Sequence, residues 1–354
     1  MSADFDGKRA YFAASNSAEG FVNYFPRIFT AERCRRIFVV KGGPGTGKSY
    51  FMRQVAAAAE SVGHEVTYYY CSSDPESLDG IIVEDMGIGF VDGTAPHVWE
   101  PASVGTFEQL INLGDFWDID VLASRRATIE ALGREKKRCY GQAYRYLSAA
   151  GTVRRAMLDE MRYAVNEEKM RRAVSRIIEK LDCVAGDVYR EEVALCDSVG
   201  MMGRVRKDTY EKTAKRRYFV KDVYGISALF FGEFQRLCQR QSVGLRISYD
   251  PLLPEQIDAI APMGTDCVFS LAECEDSVVI NLQRFIKADA YKMIRASLKE
   301  KKAAAESLEA FAVQALAAVR EYHFAIEQLF TDAMDFSAKE SFTTAFCTKL
   351  FATP

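Results

Sequence analysis

The chain of 354 residues is 49% apolar and 27% charged, with a formal net charge of −3. These values exclude a collagenous or low-complexity chain, weigh against a general nucleic-acid binder, and leave material for two domains or one elaborated α/β domain. No apolar run approaches the roughly 18 residues of a bilayer span, the opening MSADFDGKRA has no apolar signal core, and the nine cysteines form no CxxC pair, so a cytoplasmic protein with reduced thiols is expected.

In chain order, RIFVVK (36–41) is a short apolar run ending in glycines and predicts a buried strand leading into a turn. Ser49 to Ser61 is alanine-rich and predicts a helix. HEVTYYY and IGFV read as a second and a third strand, rich in β-branched and aromatic residues. Strands alternating with helices imply an α/β fold with a parallel sheet covered on both faces. From about Asp118 to Leu181 the apolar spacing is helical, and AAGT at Ala149 is the natural break, so a projecting helical hairpin is expected over 118–181. A matching hairpin is expected over 287–336, with a boundary near Gly200 that divides the chain into residues 1–200 and 201–354.

That division rests on an internal repeat. RRIFVVKGGPGTGKSYFMRQVAAAAESVGHEVTY, from Arg35, aligns without a gap on RRYFVKDVYGISALFFGEFQRLCQRQSVGLRISY, from Arg216, with nine identities in 34 positions. DPESLDGI then lies on LPEQIDAI, MGIGFVDGT on TDCVFSLAE, and INLGDFWD on INLQRFIK. The expected architecture is therefore two tandem copies of one α/β unit.

The first copy carries GGPGTGKS, Gly42 to Ser49, after an apolar strand and at the start of a helix. This is the GxxxxGK[ST] phosphate-loop pattern in its required context. Gly42, Gly43, Pro44, Gly45, Thr46 and Gly47 form a curl whose N–H groups face phosphate oxygens, and the helix N-terminus beginning near Tyr50 adds positive potential. Lys48 is expected to reach the β- and γ-phosphates of ATP, and the Ser49 hydroxyl to ligate Mg²⁺. The further metal acid is expected at the end of a strand, and Asp92 in GFVDGT is assigned that role, with Glu84 and Asp85 in IIVED as competitors. In CSSDPES, Asp74 is a candidate for orienting water or binding a substrate hydroxyl, and Ser72 and Ser73 for capping the next short helix, with capping alone as the plain alternative. His97 in TAPH and Asp115 in GDFWD stand where loops would emerge near the nucleotide.

The second copy keeps the frame and loses the site. Gly42, Gly43, Gly45 and Gly47 become Val223, Tyr224, Ile226 and Ala228, and Lys48 and Ser49 become Leu229 and Phe230. Asp74, Asp92 and Asp115 become Leu253, Leu271 and Arg284. A degenerate scaffold is expected, paired with the first copy, from which Arg284 or Arg217 would reach across as an arginine finger. Val121 to Leu181 carries 15 Lys/Arg against seven Asp/Glu, which reads as a solvated face, a lid over phosphates, or a docking surface for an acidic partner.

GGPGTGKS, CSSDPESLDG, FVDGTAPH, INLGDFWD and AYRYLSAA, in this order, resemble an uncharacterised bacterial family of tandem P-loop ATP-binding proteins. The resemblance covers nearly the whole first half and implies a P-loop fold and ATP. Members of that family can carry a second GKS loop in the second half, which this chain lacks. The leading expectation is a Mg·ATP-dependent ATPase with one live site. A nucleotide- or small-metabolite-kinase-like phosphotransferase and a nucleotide-gated partner-binding module are the alternatives.

Overall fold

The computed structural model describes residues 9–352; the first eight residues, most of the segment read for a signal core, and residues 353–354 lie outside the described residues. Two mixed six-stranded sheets and their helices form an α/β fold. The first sheet runs, edge to edge, Arg9–Phe12, Val66–Tyr70, Leu78–Val83, Ile88–Asp92, Arg36–Lys41, Glu108–Asn112. Ile37 to Val40 are all buried, as a central strand covered on both faces requires.

The expected all-parallel sheet is corrected to a mixed one. Arg36–Lys41 pairs in parallel with Ile88–Asp92 and with Glu108–Asn112, but Leu78–Val83 runs antiparallel to both its neighbours. The cause is local: Gly87 turns the chain at φ +59° and folds IIV back on IGFV as a hairpin, where a parallel crossover would need a helix.

The second sheet runs Val278–Asn281, Arg216–Lys221, Cys267–Ser270, Ile257–Pro262, Leu245–Tyr249, Glu191–Val193. Read from the other edge, it has the strand order of the first sheet, and every neighbouring pair has the same sense. Glu191–Val193, which precedes Gly200 in sequence, belongs to this sheet.

The expected hairpins are replaced by two single helices, Arg126–Ala164 and Ala288–Thr331. AAGT does not break the first. Gly151 sits inside it because Ala18 leaves no room: a Cβ there would lie 2.4 Å from the Ala18 Cβ. At about 1.5 Å per residue these helices span roughly 60 Å, and they pack against each other. The pair is antiparallel. Asp118 N–H donates to Ala333 O at one end, and Lys287 N–H donates to Ala164 O at the other.

Each long helix thus carries the chain from one sheet to the other, and the helices that follow are exchanged. Glu167–Glu179 buries Met170, Val174 and Ile178 and packs on Ser227–Arg240 of the second sheet's layer. Phe336–Leu350 packs on Lys48–Ser61 of the first, where Phe346 meets Phe38, Phe51 and Phe90 at ring distances of 5.2, 5.5 and 6.0 Å. All nine cysteines are free thiols. Among the described residues no helix is long and apolar enough to cross a membrane.

Candidate functional site

Gly42–Ser49 forms a tight loop between the central strand Arg36–Lys41 and helix Lys48–Ser61. Gly45 and Gly47 hold φ +71° and +75°, a region that side chains with a Cβ rarely enter. Gly47 is the N-cap of the helix, so the first helical N–H groups are uncapped by any side chain and face the loop's concavity. Thr46, fully buried, ties the curl by donating from Oγ1 to Gly43 O at 2.9 Å.

Lys48 Nζ folds back to donate to Gly42 O at 2.8 Å and Gly43 O at 3.0 Å, and lies 3.5 Å from Asp92 Oδ2. Asp92, 8% exposed, closes its strand beside the loop, and its Oδ1 accepts from the Thr94 backbone N–H at 2.9 Å. Burial lifts the Asp92 carboxyl above its ordinary range, and the Lys48 charge opposes that rise. Ser49 Oγ accepts from Leu78 N–H at 2.9 Å, which fixes it against strand Leu78–Val83.

These groups border a cavity of about 380 Å³ that Asp74, Asp79, His97, Lys136, His323 and Glu327 also line. The size suits a small-molecule site. Asp74 accepts from Ser77 Oγ at 2.7 Å and from Glu76 N–H at 3.3 Å, so it organises its turn while lining the cavity. The roof comes from helix Ala288–Thr331: a Cβ on Gly45 would lie 2.5 Å from Glu327 O. Lys136 Nζ, from the other long helix, lies 3.0 Å from His323 Nδ1. Burial, reinforced by the Lys136 charge, pushes His323 down to about 4. Burial also lowers Lys136 and raises Glu327.

Other expected residues stand elsewhere. Asp115 accepts from Asn112 Nδ2 at 2.6 Å within a short 3₁₀ turn and does not line the cavity. Tyr50 is half-exposed on the helix, its hydroxyl accepting from Gln54 Nε2. Glu84 is taken by Arg33 and Thr67, and Asp85 by His64, so neither competes with Asp92. Arg217 donates to Ala214 O and Glu275 O, while Arg284 lies over Phe285, so the expected arginine finger is corrected: neither reaches this cavity. Much of the basic excess of Val121–Leu181 is held by acids. Arg125 pairs with Asp332, Arg154 with Glu309, and Arg155 with Glu19 and Glu255.

Asp79, Lys136, Tyr140, His323 and Glu327 were not singled out from the sequence. Asp79 left a signal, a lone charge in the apolar run LDGIIV. The others lie on helices far along the chain, and helical spacing does not say what a helix covers.

At the corresponding place beside strand Arg216–Lys221, a cavity of about 430 Å³ is lined by Asp222, Val223, Tyr224 and Gly225. Asp222 accepts there from Gly225 N–H and Ser227 N–H, both at 2.7 Å. A side-chain carboxylate occupies the N–H groups at the start of helix Ser227–Arg240.

A family model described as nephrocystin 3, N-terminal matches residues 24–81, which hold the central strand, the glycine loop, its helix and the following strand. Comparison with curated proteins and with solved structures returns no match.

Proposed function

We propose that this chain is a P-loop protein that binds ATP with Mg²⁺ at one site, the glycine loop, and hydrolyses it there. The observation that carries the reading is the junction itself. GGPGTGKS curls at a helix N-terminus with its lysine beside a buried strand-end aspartate. Lys48, held by two loop carbonyls and Asp92, has a ready path to phosphate oxygens, and the loop and helix N–H groups supply the cradle. The Ser49 hydroxyl and the Asp92 carboxylate are hard oxygen donors that fit Mg²⁺. Mg²⁺, when bound, neutralises charge on the β- and γ-phosphates. Asp74, which lines the cavity, would orient a water.

The two sheets are proposed to be tandem duplicates, supported by their identical order and pairing senses. In the second, Asp222 supplies the anion that a phosphate would supply in the first, so one nucleotide per chain is expected. ATP and Mg²⁺ titration of wild type beside Lys48→Ala tests this, scoring stoichiometry and phosphate release together. One site, lost in the variant, with steady release supports the ATPase. Two sites per chain refute the single-site reading.

A second reading is a nucleotide-gated partner-binding module. It is favoured by the roof: Glu327 and Thr331 leave no room for a side chain at Gly45, and they belong to a helix of 44 residues. It predicts ATP binding with negligible turnover. A phosphotransferase would instead stay slow until an acceptor near Asp74 is supplied.

A further inference from the structure

Two carboxylates and an imidazole meet at the floor of the cavity. Asp79 is the second residue of strand Leu78–Val83, Asp92 the last of the neighbouring strand, and His97 lies in the loop beyond it. They are 4%, 8% and 5% exposed, and one ligating atom from each lies within 4.8 Å of the others. Ligands sharing one ion with bonds of about 2.1 Å stand roughly 3–4 Å apart, so small side-chain shifts would close the set. Asp79 Oδ2 and His97 Nδ1 make no hydrogen bond, and His97 Nε2 lies 3.5 Å from Asp79 Oδ2. The imidazole is held by Phe21 and Phe25, with ring centroids 5.4 and 5.3 Å away.

The second sheet offers an internal comparison. Asp258 is the second residue of strand Ile257–Pro262, the place Asp79 has in its own sheet. It is likewise buried beside another acid, Asp197. There the chain supplies its own cation: Arg206 lies 2.5 Å from Asp197, 2.5 Å from Glu211 and 3.8 Å from Asp258. Among the described residues no lysine or arginine pairs with Asp79, and of these two acids Lys48 pairs with Asp92 alone. Asp79 is thus left with the imidazole as its nearest charge partner and no hydrogen bond to Oδ2, and a buried carboxylate so weakly compensated costs several kcal/mol.

We infer that Asp79, Asp92 and His97 form a site for an exchangeable divalent cation, in the place that Arg206 fills in the second sheet. Two carboxylate oxygens and one imidazole nitrogen favour a first-row transition ion such as Mn²⁺ or Co²⁺ over Mg²⁺ or Ca²⁺, which take oxygen sets. The cation balances both acids and frees Lys48 from Asp92. The site stands whether or not the glycine loop takes a nucleotide.

The test uses the full chain without nucleotide. Mn²⁺ is titrated and its free signal followed by electron paramagnetic resonance, with Mg²⁺ as competitor. One saturable Mn²⁺ per chain is expected, weakened roughly tenfold or more in His97→Ala and Asp79→Asn. Lys48→Ala should bind Mn²⁺ at least as tightly as wild type while losing ATP, which separates this site from the nucleotide reading. If Asp79→Asn fails to fold by circular dichroism, Mn²⁺ uptake by His97→Ala and the Co²⁺ visible spectrum of wild type beside His97→Ala, whose d–d bands should change when the imidazole is lost, decide. Absence of saturable Mn²⁺ uptake, uptake unchanged in His97→Ala, or displacement by equimolar Mg²⁺ would overturn the inference.

Discussion

His323 faces the cavity with Lys136 donating to its Nδ1, an arrangement that requires a neutral imidazole. Its affinity for a proton falls from 6.5 to about 4 on folding. The unfolded chain therefore binds more protons in that window, and this contribution to stability is present above pH 6.5 and is lost as pH falls toward 4. His323→Gln should flatten that part of the pH profile relative to wild type, measured by chemical denaturation without nucleotide. An unchanged slope would remove His323 from the account. Gly45 gives a second residue-scale expectation. A methyl group there would meet Glu327 O at 2.5 Å, with the backbone already at φ +71°. Gly45→Ala should cost about 1–3 kcal/mol and weaken ATP binding, read by denaturation and by titration. Wild-type affinity would mean the roof yields without disturbing the loop.

At the scale of elements, the sequence made some features legible and hid others for physical reasons. The strand–loop–helix at Arg36–Ser61 was legible because each of its signals is local: an apolar run, glycines at positive φ, an alanine-rich helix. The antiparallel strand Leu78–Val83 was not, because a buried apolar run has no preferred neighbour until Gly87 turns it. The continuity of Arg126–Ala164 was hidden for a related reason. AAGT carries turn-like residues, yet their smallness serves a close crossing with Ala18. Asp92 could be placed from its strand end, whereas Asp115 lies in a 3₁₀ turn that points it at Asn112. The cavity's roof was invisible, since His323 and Glu327 stand more than 270 residues after the loop in the chain. Gly151 tests the crossing. Alanine would gain up to about 1 kcal/mol of helix propensity, but its Cβ would lie 2.4 Å from that of Ala18. Overpacking at about 1–3 kcal/mol should win, so Gly151→Ala should lower the melting temperature. A rise would show that the turn holding Ala18, between the antiparallel strands Ala14–Ser17 and Gly20–Asn23, moves aside freely.

For the whole molecule, the exchanged helices decide how it unfolds. Phe346 and Phe342 leave the second sheet's connection and cover Phe51 of the first sheet's layer, at ring distances of 5.5 and 6.3 Å. Helix Glu167–Glu179 makes the reverse trip. Each core is therefore completed by a segment whose position depends on the other, and the antiparallel long helices tie both ends. Loss of either core should release a helix that the remaining core needs. Calorimetry of the full chain should then give a single transition. Phe346→Ala, which removes at most about 1.5–3 kcal/mol of aromatic burial because the ring is only partly buried, should shift that whole transition down without splitting it. A chain ending at Asp335 would leave Phe38, Phe51 and Phe90 uncovered and should lose the cooperative transition of both sheets. Two transitions in the Phe346→Ala protein, only one of them shifted, would mean that the sheets unfold independently and that the exchange holds them together without coupling them.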